Sequence, residues 1–462
     1  MINNQIDTIY SLSTTLNGSA LAVIRISGPR ALEIVQHFFR GKDLYQQKTQ
    51  SLVFGKILFQ DSILDEVLVS VFRNPHSYTG EDLVEISCHA SAYVVERIYA
   101  LCAEAGARFA LPGEFTMRAF ASGKMDLSQA EAVADLIASE SAAQHKLAMQ
   151  QMKGSYSEQI ETLRQDLIDF AALLELELDF SEEDVQFADR TRFLELLNHA
   201  RNSLNRFIQS FQTGNAIKKG IPVALAGKPN AGKSTLLNAL LREEKAIVSA
   251  LPGTTRDYIE DTLTHQGILY RFIDTAGIRE THDELEIKGI ERSFQQIDKA
   301  EIVLYLADAT YPFREIVSEF NAMSFDRNRK ILIVLTKMDL LDNSCNAWDI
   351  EEAIATLTQR PCLVLSARHE QSIQTLLDRI SAFTLPALNE SDLIVTNTRH
   401  LEAFRNALES LNLVESGLKN GISTELVAID LRRALDYMGR VTGKISQEDI
   451  LSSIFSRFCI GK

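Results

Sequence analysis

The sequence predicts a multidomain α/β protein, and three observations carry that prediction. Between about residues 219 and 386, apolar, β-branched runs alternate with helical stretches, the pattern of a doubly wound, mostly parallel sheet. Helical periodicity fills the residues on both sides of that unit. This points to an α/β domain inserted into one discontinuous helical domain, residues 123–218 and 387–462. Residues 1–122 mix strand-like runs with helices, as an α+β domain does. At 462 residues the chain is long enough for about three domains.

In the first region, Ala20–Ile26, Ser51–Leu58 and Glu66–Phe72 are expected strands, and Ala31–Phe39 and Ala92–Ala105 expected helices. Asn74 to Gly80 is a loop rich in turn residues. In the second, Leu163, Leu167, Phe170, Leu174 and Leu178 recur at three- and four-residue spacing, one face of a long amphipathic helix. The acidic run from Glu175 to Asp184 holds no histidine and is expected to be a solvated helix end. In the inserted unit the expected strands are Pro222–Ala226, Leu269–Asp274, Ile302–Asp308, Ile331–Thr336 and Cys362–Ser366. Beyond it, Leu401–Leu411, Glu425–Met438 and Gln447–Phe455 return to helix.

The composition excludes several classes. A net charge of −15 argues against an evenly basic nucleic-acid-binding surface. The five cysteines are odd in number and form no C-x-x-C pair, which fits a reducing cytoplasm and neither a disulfide framework nor a zinc site. No run approaches 18 apolar residues, and the N-terminus lacks an apolar signal segment, so no membrane association is expected.

Gly227-Lys228-Pro229-Asn230-Ala231-Gly232-Lys233-Ser234 follows one expected strand and opens a helix. Gly227 and Gly232 permit backbone angles that turn successive N–H groups into one concavity, and the helix adds its positive dipole end. Asn230, Ala231, Gly232, Lys233, Ser234 and Thr235 therefore face nucleotide phosphates, with Lys233 on the β- and γ-phosphates and the Ser234 hydroxyl on Mg²⁺. Asp274-Thr275-Ala276-Gly277 closes a later strand, where Asp274 can hold a magnesium water and the Gly277 N–H can meet the γ-phosphate. Thr254-Thr255 stands between these two motifs, where Thr255 can supply a second Mg²⁺ ligand. Thr336-Lys337-Met338-Asp339 follows the next strand. The Asp339 carboxylate can accept from the guanine N1–H and amine, which adenine does not offer. With Ser366-Ala367-Arg368 after the last strand, this selects GTP over ATP.

On these residues the sequence resembles the MnmE (TrmE) family of tRNA-modification GTPases over essentially its whole length. Further specific matches are Gly253 to Asp257, Ile278-Arg279-Glu280, Arg25-Ile26-Ser27-Gly28, Tyr78-Thr79-Gly80-Glu81-Asp82, Pro112-Gly113-Glu114-Phe115 and the closing Phe458-Cys459-Ile460-Gly461-Lys462. The resemblance implies a Ras-like P-loop GTPase domain, the helical domain, and an N-terminal folate-binding-like domain that dimerises. It implies a homodimer working with an FAD-containing MnmG-type protein as a heterotetramer. The pair would modify C5 of the wobble uridine in certain tRNAs with an aminomethyl or carboxymethylaminomethyl group. It further implies K⁺, held by Asn230 with oxygens of Ser249, Leu251 and Thr254, and Glu286 as the catalytic residue that positions water. A tetrahydrofolate derivative (5-formyl- or 5,10-methylene-) would be met by Arg25, Glu85 and Lys124, with Lys462 in the nearby C-terminal motif. The family pattern has Asn where Thr336 stands; a hydroxyl for an amide predicts weaker nucleotide binding, while Asp339 remains.

Taken singly, several of these residues have plainer readings: Asn230 as a loop hydrogen bond, and Glu286, Arg25, Glu85 and Lys124 as surface charges. The alternative function is a regulatory GTPase that assists ribosome or RNA assembly. That alternative predicts a basic RNA-binding module, whereas the flanking regions are an α+β domain and an acidic helical one.

Overall fold

The computed structural model describes residues 7–445 apart from 17, 180–189, 245–260, 275–299, 324, 327–328, 342–346 and 385–393; beyond 445 it describes 451, 454–455, 458 and 461. The chain groups into two compact units. One comprises Met1–Ile137, Met149–Arg201 and Ala403–Lys462, the other Ala138–Ala148 and Asn202–Glu402.

The first unit is built on a seven-stranded sheet. Its strands are β1 (Ile9–Leu12), β2 (Leu21–Ser27), β3 (Phe39–Gly41), β4 (Ser51–Phe59), β5 (Ser62–Phe72), β6 (Leu83–His89) and β7 (Arg108–Phe109). They lie in the order β3-β4-β5-β6-β2-β1-β7, antiparallel except where β7 joins β1. Alternation along β2 and β6 sends Ala22, Ile24, Ile26, Val84 and Ile86 to one face, all fully buried. Helices α1 (Ala31–Phe38) and α2 (Ala92–Glu104) share that core through Ile34, Val35, Val95 and Ile98.

The helices of this unit include α3 (Glu114–Ala121), α4 (Leu127–Ile137), α6 (Ser155–Asp179) and α13 (Thr424–Thr442). Leu163, Leu167, Phe170 and Leu174 of the predicted stripe are buried, and α6 packs along α13, so the stripe is a bundle core. Side chains of the acidic run, and residues 447–450 and 452–453 of the last expected helix, lie outside the described residues.

The second unit holds a six-stranded sheet of β8 (Ile221–Ala226), β9 (Asp261–His265), β10 (Ile268–Asp274), β11 (Ile302–Asp308), β12 (Lys330–Thr336) and β13 (Cys362–Val364). The order is β13-β12-β11-β8-β10-β9, parallel throughout except for the edge pair β9–β10. Helices cover both faces. On one, α8 (Lys233–Glu244) and α11 (Glu370–Ala382) bury Leu236, Leu240, Ile373 and Leu376. On the other, α9 (Phe313–Ala322) and α10 (Ala347–Thr358) bury Ile316, Phe320 and Ile354. Strands covered on both sides need continuous apolar sequence, and Ile302–Ala307 and Ile331–Leu335 supply it. This is the doubly wound architecture of P-loop nucleotide-binding domains, with ligand-binding loops expected at the carboxyl ends of the strands.

Candidate functional site: a phosphate loop and a base-reading corner

The loop from Gly227 to Gly232 leaves β8 and enters α8 at Lys233. Gly227 has φ +137°, and a Cβ there would lie 2.2 Å from the Leu306 carbonyl oxygen of β11. No side chain fits, so the first glycine is dictated by the neighbouring strand as well as by its backbone angle. Asn230 and Gly232 also take positive φ, +65° and +88°. Positive φ at these positions is the backbone conformation of loops that gather N–H groups for an anion, and the loop leads into the first turn of α8, whose own N–H groups have no intrahelical acceptor. Lys233 folds back over the loop and donates to the carbonyls of Gly227 at 2.6 Å and Lys228 at 2.8 Å. Asn230, Ser234 and Thr235 are exposed at the mouth, while Ala231 is buried. A glycine-bent loop at a helix N-terminus, an ammonium and an exposed hydroxyl suit a triphosphate with its divalent cation.

The base-reading corner forms where β12 and β13 end. Asp339 Oδ1 accepts a hydrogen bond from the buried Ser366 hydroxyl at 2.9 Å, and Oδ2 lies 3.3 Å from the exposed Arg368 guanidinium. The Ser366 bond, then the Asp339 backbone N–H and the Arg368 charge, outweigh a small desolvation and hold this carboxyl below its ordinary value, so it stands ready as an acceptor. Lys337, at φ +63°, donates to Asp308 Oδ2 at 2.6 Å. Burial alone would raise the Asp308 carboxyl, but Lys337 and the Thr310 N–H and hydroxyl outweigh it and lower it. Nothing in the local sequence marks Asp308 as the partner of Lys337; the β11–β12 register, which sets Asp308 beside Thr336, does. Thr336 is buried and bonded under the phosphate loop, Met338 is exposed, and Ala367 half-buried.

Asp274 ends β10, beside β8, which carries the phosphate loop. Thr275, Ala276, Gly277, Ser249, Leu251, Thr254, Thr255 and Glu286 lie outside the described residues. Among the described residues, no group of three or more His, Cys, Asp or Glu side chains is arranged to hold a metal ion. The expected cation ligands are of a different kind: hydroxyls, an amide oxygen and the Leu251 backbone carbonyl.

The family model for the MnmE helical domain matches residues 127–459, and that for the GTP-binding protein TrmE N-terminus matches residues 8–124. The chain belongs to the MnmE family of tRNA modification GTPases. A tRNA modification GTPase MnmE from Flavobacterium johnsoniae is 49% identical, with 100% of each chain covered. Those of Christiangramia forsetii and Bacteroides thetaiotaomicron are 47% and 46% identical, with 99% of each chain covered.

In this MnmE-family chain the TrmE-type N-terminal residues are held by a charge network. Arg118 donates to Asp7 Oδ1 at 2.6 Å, Glu114 Oε1 at 3.0 Å and Glu81 Oε1 at 3.1 Å. Arg108 joins Asp7 and Glu114 from the other side at 2.8 and 2.6 Å. Ser27 donates to Glu81, and Tyr78 bonds Thr116. The segments 78–82 and 112–115 therefore meet around two arginines. Sequence reasoning overlooked Asp7, Arg108 and Arg118, because the network joins residues up to 111 positions apart.

Arg25 and Glu85, expected to meet opposite parts of one ligand, face each other across β2 and β6 and form a two-nitrogen ion pair at 2.7 and 2.9 Å. The Arg25 guanidinium lies over the rings of Tyr78 and Phe115. Lys124 is exposed beside Gly80, and Lys462 lies outside the described residues. Gly461 is described: Ser13 donates to its carbonyl at 3.2 Å, and a Cβ on it would lie 1.9 Å from the Leu12 carbonyl. Phe455 and Phe458 pack with Leu127 and Ala130, closing over Gly113. The end of the chain is thus seated on the first strand, one residue along from Ser11, the β-ladder partner of Arg25. No helix among the described residues is long and apolar enough to cross a membrane.

Proposed function

We propose that this chain is a potassium-dependent, Mg²⁺-assisted GTP hydrolase that works as a homodimer. It drives modification of wobble-uridine C5 in certain tRNAs with an FAD-containing MnmG-type partner in a cytoplasmic heterotetramer. Its domains would be residues 1–122, 123–218 with 387–462, and 219–386. The observation that carries the proposal is the geometry of Gly227–Ser234 at the carboxyl end of β8, joined to Asp339 and Ser366 at the base-reading corner of the same sheet.

In this reading the loop N–H groups and Lys233 bind and orient the phosphates, Lys233 exchanging two carbonyl contacts for phosphate oxygens. Ser234, Thr255 and a water on Asp274 would hold Mg²⁺, which spreads the negative charge that grows between the β- and γ-phosphates. The left-handed conformation and exposure of Asn230 support its amide oxygen as a ligand for K⁺, with Ser249, Leu251 and Thr254 completing the set. Glu286 would orient water, and Thr275, Ala276 and Gly277 would sense the γ-phosphate. Asp339, Lys337, Met338, Ala367 and Arg368 would surround guanine. In the N-terminal domain, the Arg25–Glu85 pair, Lys124 and Lys462 would meet the tetrahydrofolate derivative, which supplies the one-carbon unit. Arg25 and Glu85 would act there as one preformed donor–acceptor pair.

The test compares GTP turnover in K⁺ and Na⁺ for the native chain and Glu286→Ala, with mass spectrometry of wobble uridines in cells lacking the protein. Faster turnover in K⁺, loss of that stimulation with retained nucleotide binding in the variant, and loss of the modified nucleosides are expected. Equal rates in both salts would sink the potassium assignment, and unchanged nucleosides would favour an assembly factor.

A further inference from the structure

Thr336 ends β12 with 2% of its surface exposed. Its hydroxyl oxygen lies 2.8 Å from the Ala231 carbonyl oxygen of the phosphate loop and 3.2 Å from that of Ala307 on β11. Both partners are acceptors, and a hydroxyl carries one proton. That proton is committed inside the protein, to the shorter contact with Ala231. A Cβ built on Gly232 would stand 3.4 Å from the same oxygen, so Thr336 sits directly beneath the peptide that leads into Lys233. Lys337 then turns the chain through its positive φ, and Asp339 emerges to be held by Ser366.

Guanine presents two chemically different edges: the N1–H and amine donors, and the N7 and O6 acceptors. Asp339 suits the first. An asparagine at position 336 has two N–H donors and a carbonyl, enough to serve the loop and the base together; a threonine hydroxyl has no second proton to offer. We propose that Thr336 is a positioning residue for the phosphate loop and takes no part in reading the base, so that guanine is recognised here without a donor to N7 from this position. The proposal rests on the guanine-nucleotide reading above and specifies how that site reads its base.

The test measures dissociation constants for GDP and 7-deaza-GDP, which lacks the N7 acceptor, with the native chain, Thr336→Val and Thr336→Ser. The native chain is expected to bind both nucleotides within about twofold of each other. Thr336→Val keeps the side-chain shape but removes the donor from the buried Ala231 carbonyl, and should weaken both nucleotides alike by about tenfold. Thr336→Ser restores the hydroxyl and should return both affinities to within about threefold of native. A native preference of about tenfold or more for GDP, abolished in Thr336→Val, would overturn the proposal by assigning Thr336 to the base. Unchanged affinities in a folded Thr336→Val protein would overturn the positioning role. If the valine protein fails to fold, the native comparison decides alone: affinities within about twofold uphold the proposal, and a preference of about tenfold or more for GDP overturns it. If the native chain bound neither nucleotide, the guanine reading would fall first and this proposal with it.

Discussion

Replacing Arg118 by Met retains a long apolar stem and removes one charge from the centre of the N-terminal network. Arg118 is 12% exposed and Glu114 4%, whereas Asp7 and Glu81 are 27% and 30% exposed. Breaking a fully buried ion pair costs about 3–5 kcal/mol. Here Glu114 keeps Arg108 and the Leu111 N–H as partners, and water reaches the other two carboxylates. The expected cost at neutral pH is therefore about 2–3 kcal/mol. Hydrogen exchange of peptides from β1, β2 and β6 reads this local opening directly, as protection lower by about 30- to 150-fold.

The cost has a pH signature. Burial alone would raise the carboxyls of Asp7 and Glu114, but the arginines, joined at Glu114 by the Leu111 N–H, outweigh it and lower both. Groups with a depressed folded value stabilise fully above their unfolded value, about 4, and lose that contribution as pH falls through the folded one. The native chain should thus lose its advantage over Arg118→Met at the acid end of its folded range. Arg30→Ala, which removes a solvent-exposed pair with Glu33, should leave exchange unchanged. A loss of protection under about threefold at pH 7, or one that does not shrink in acid, would refute the coupling of burial and charge assumed here.

Two further outcomes are expected. Gly461→Ala places a methyl where the Leu12 carbonyl already stands and strains a left-handed residue, so the tail should lift and become sensitive to carboxypeptidase while the sheet remains folded. Asp339→Asn exchanges one acceptor oxygen for a donor, so binding should shift from guanosine to xanthosine nucleotides, whose base has an oxygen in place of the amine; competition between GDP and XDP measures it.

Much of the second unit was legible because its physics is local. Strands covered on both faces must be apolar throughout, and β8, β11 and β12 announce themselves that way. The edge strand β9, Asp-Thr-Leu-Thr-His, buries little and has no such pattern. In the first unit β6 went unmarked although it lies at the middle of the sheet. Glu85 interrupts its apolar run, and only the facing Arg25, 60 residues away, makes that charge tolerable. The phosphate motif showed which residues bend; it did not show that Leu306 forbids a side chain at Gly227, nor that the Thr336 hydroxyl points under the loop. Those facts depend on which strands become neighbours, and side-chain chemistry alone carries no trace of that.

The seating of Gly461 against Leu12 also orders events in time. The first unit draws on residues at both ends of the chain, whereas the parallel-sheet unit takes nearly all of its residues from the continuous stretch Asn202–Glu402. During synthesis the interior unit can close first, from contacts of short range. β1 and α3 must wait, with their ends uncovered, until residues 455–461 emerge to dock on them. A chain stopped after Glu402 but before Phe455 would therefore carry a competent nucleotide fold and an unsealed first domain.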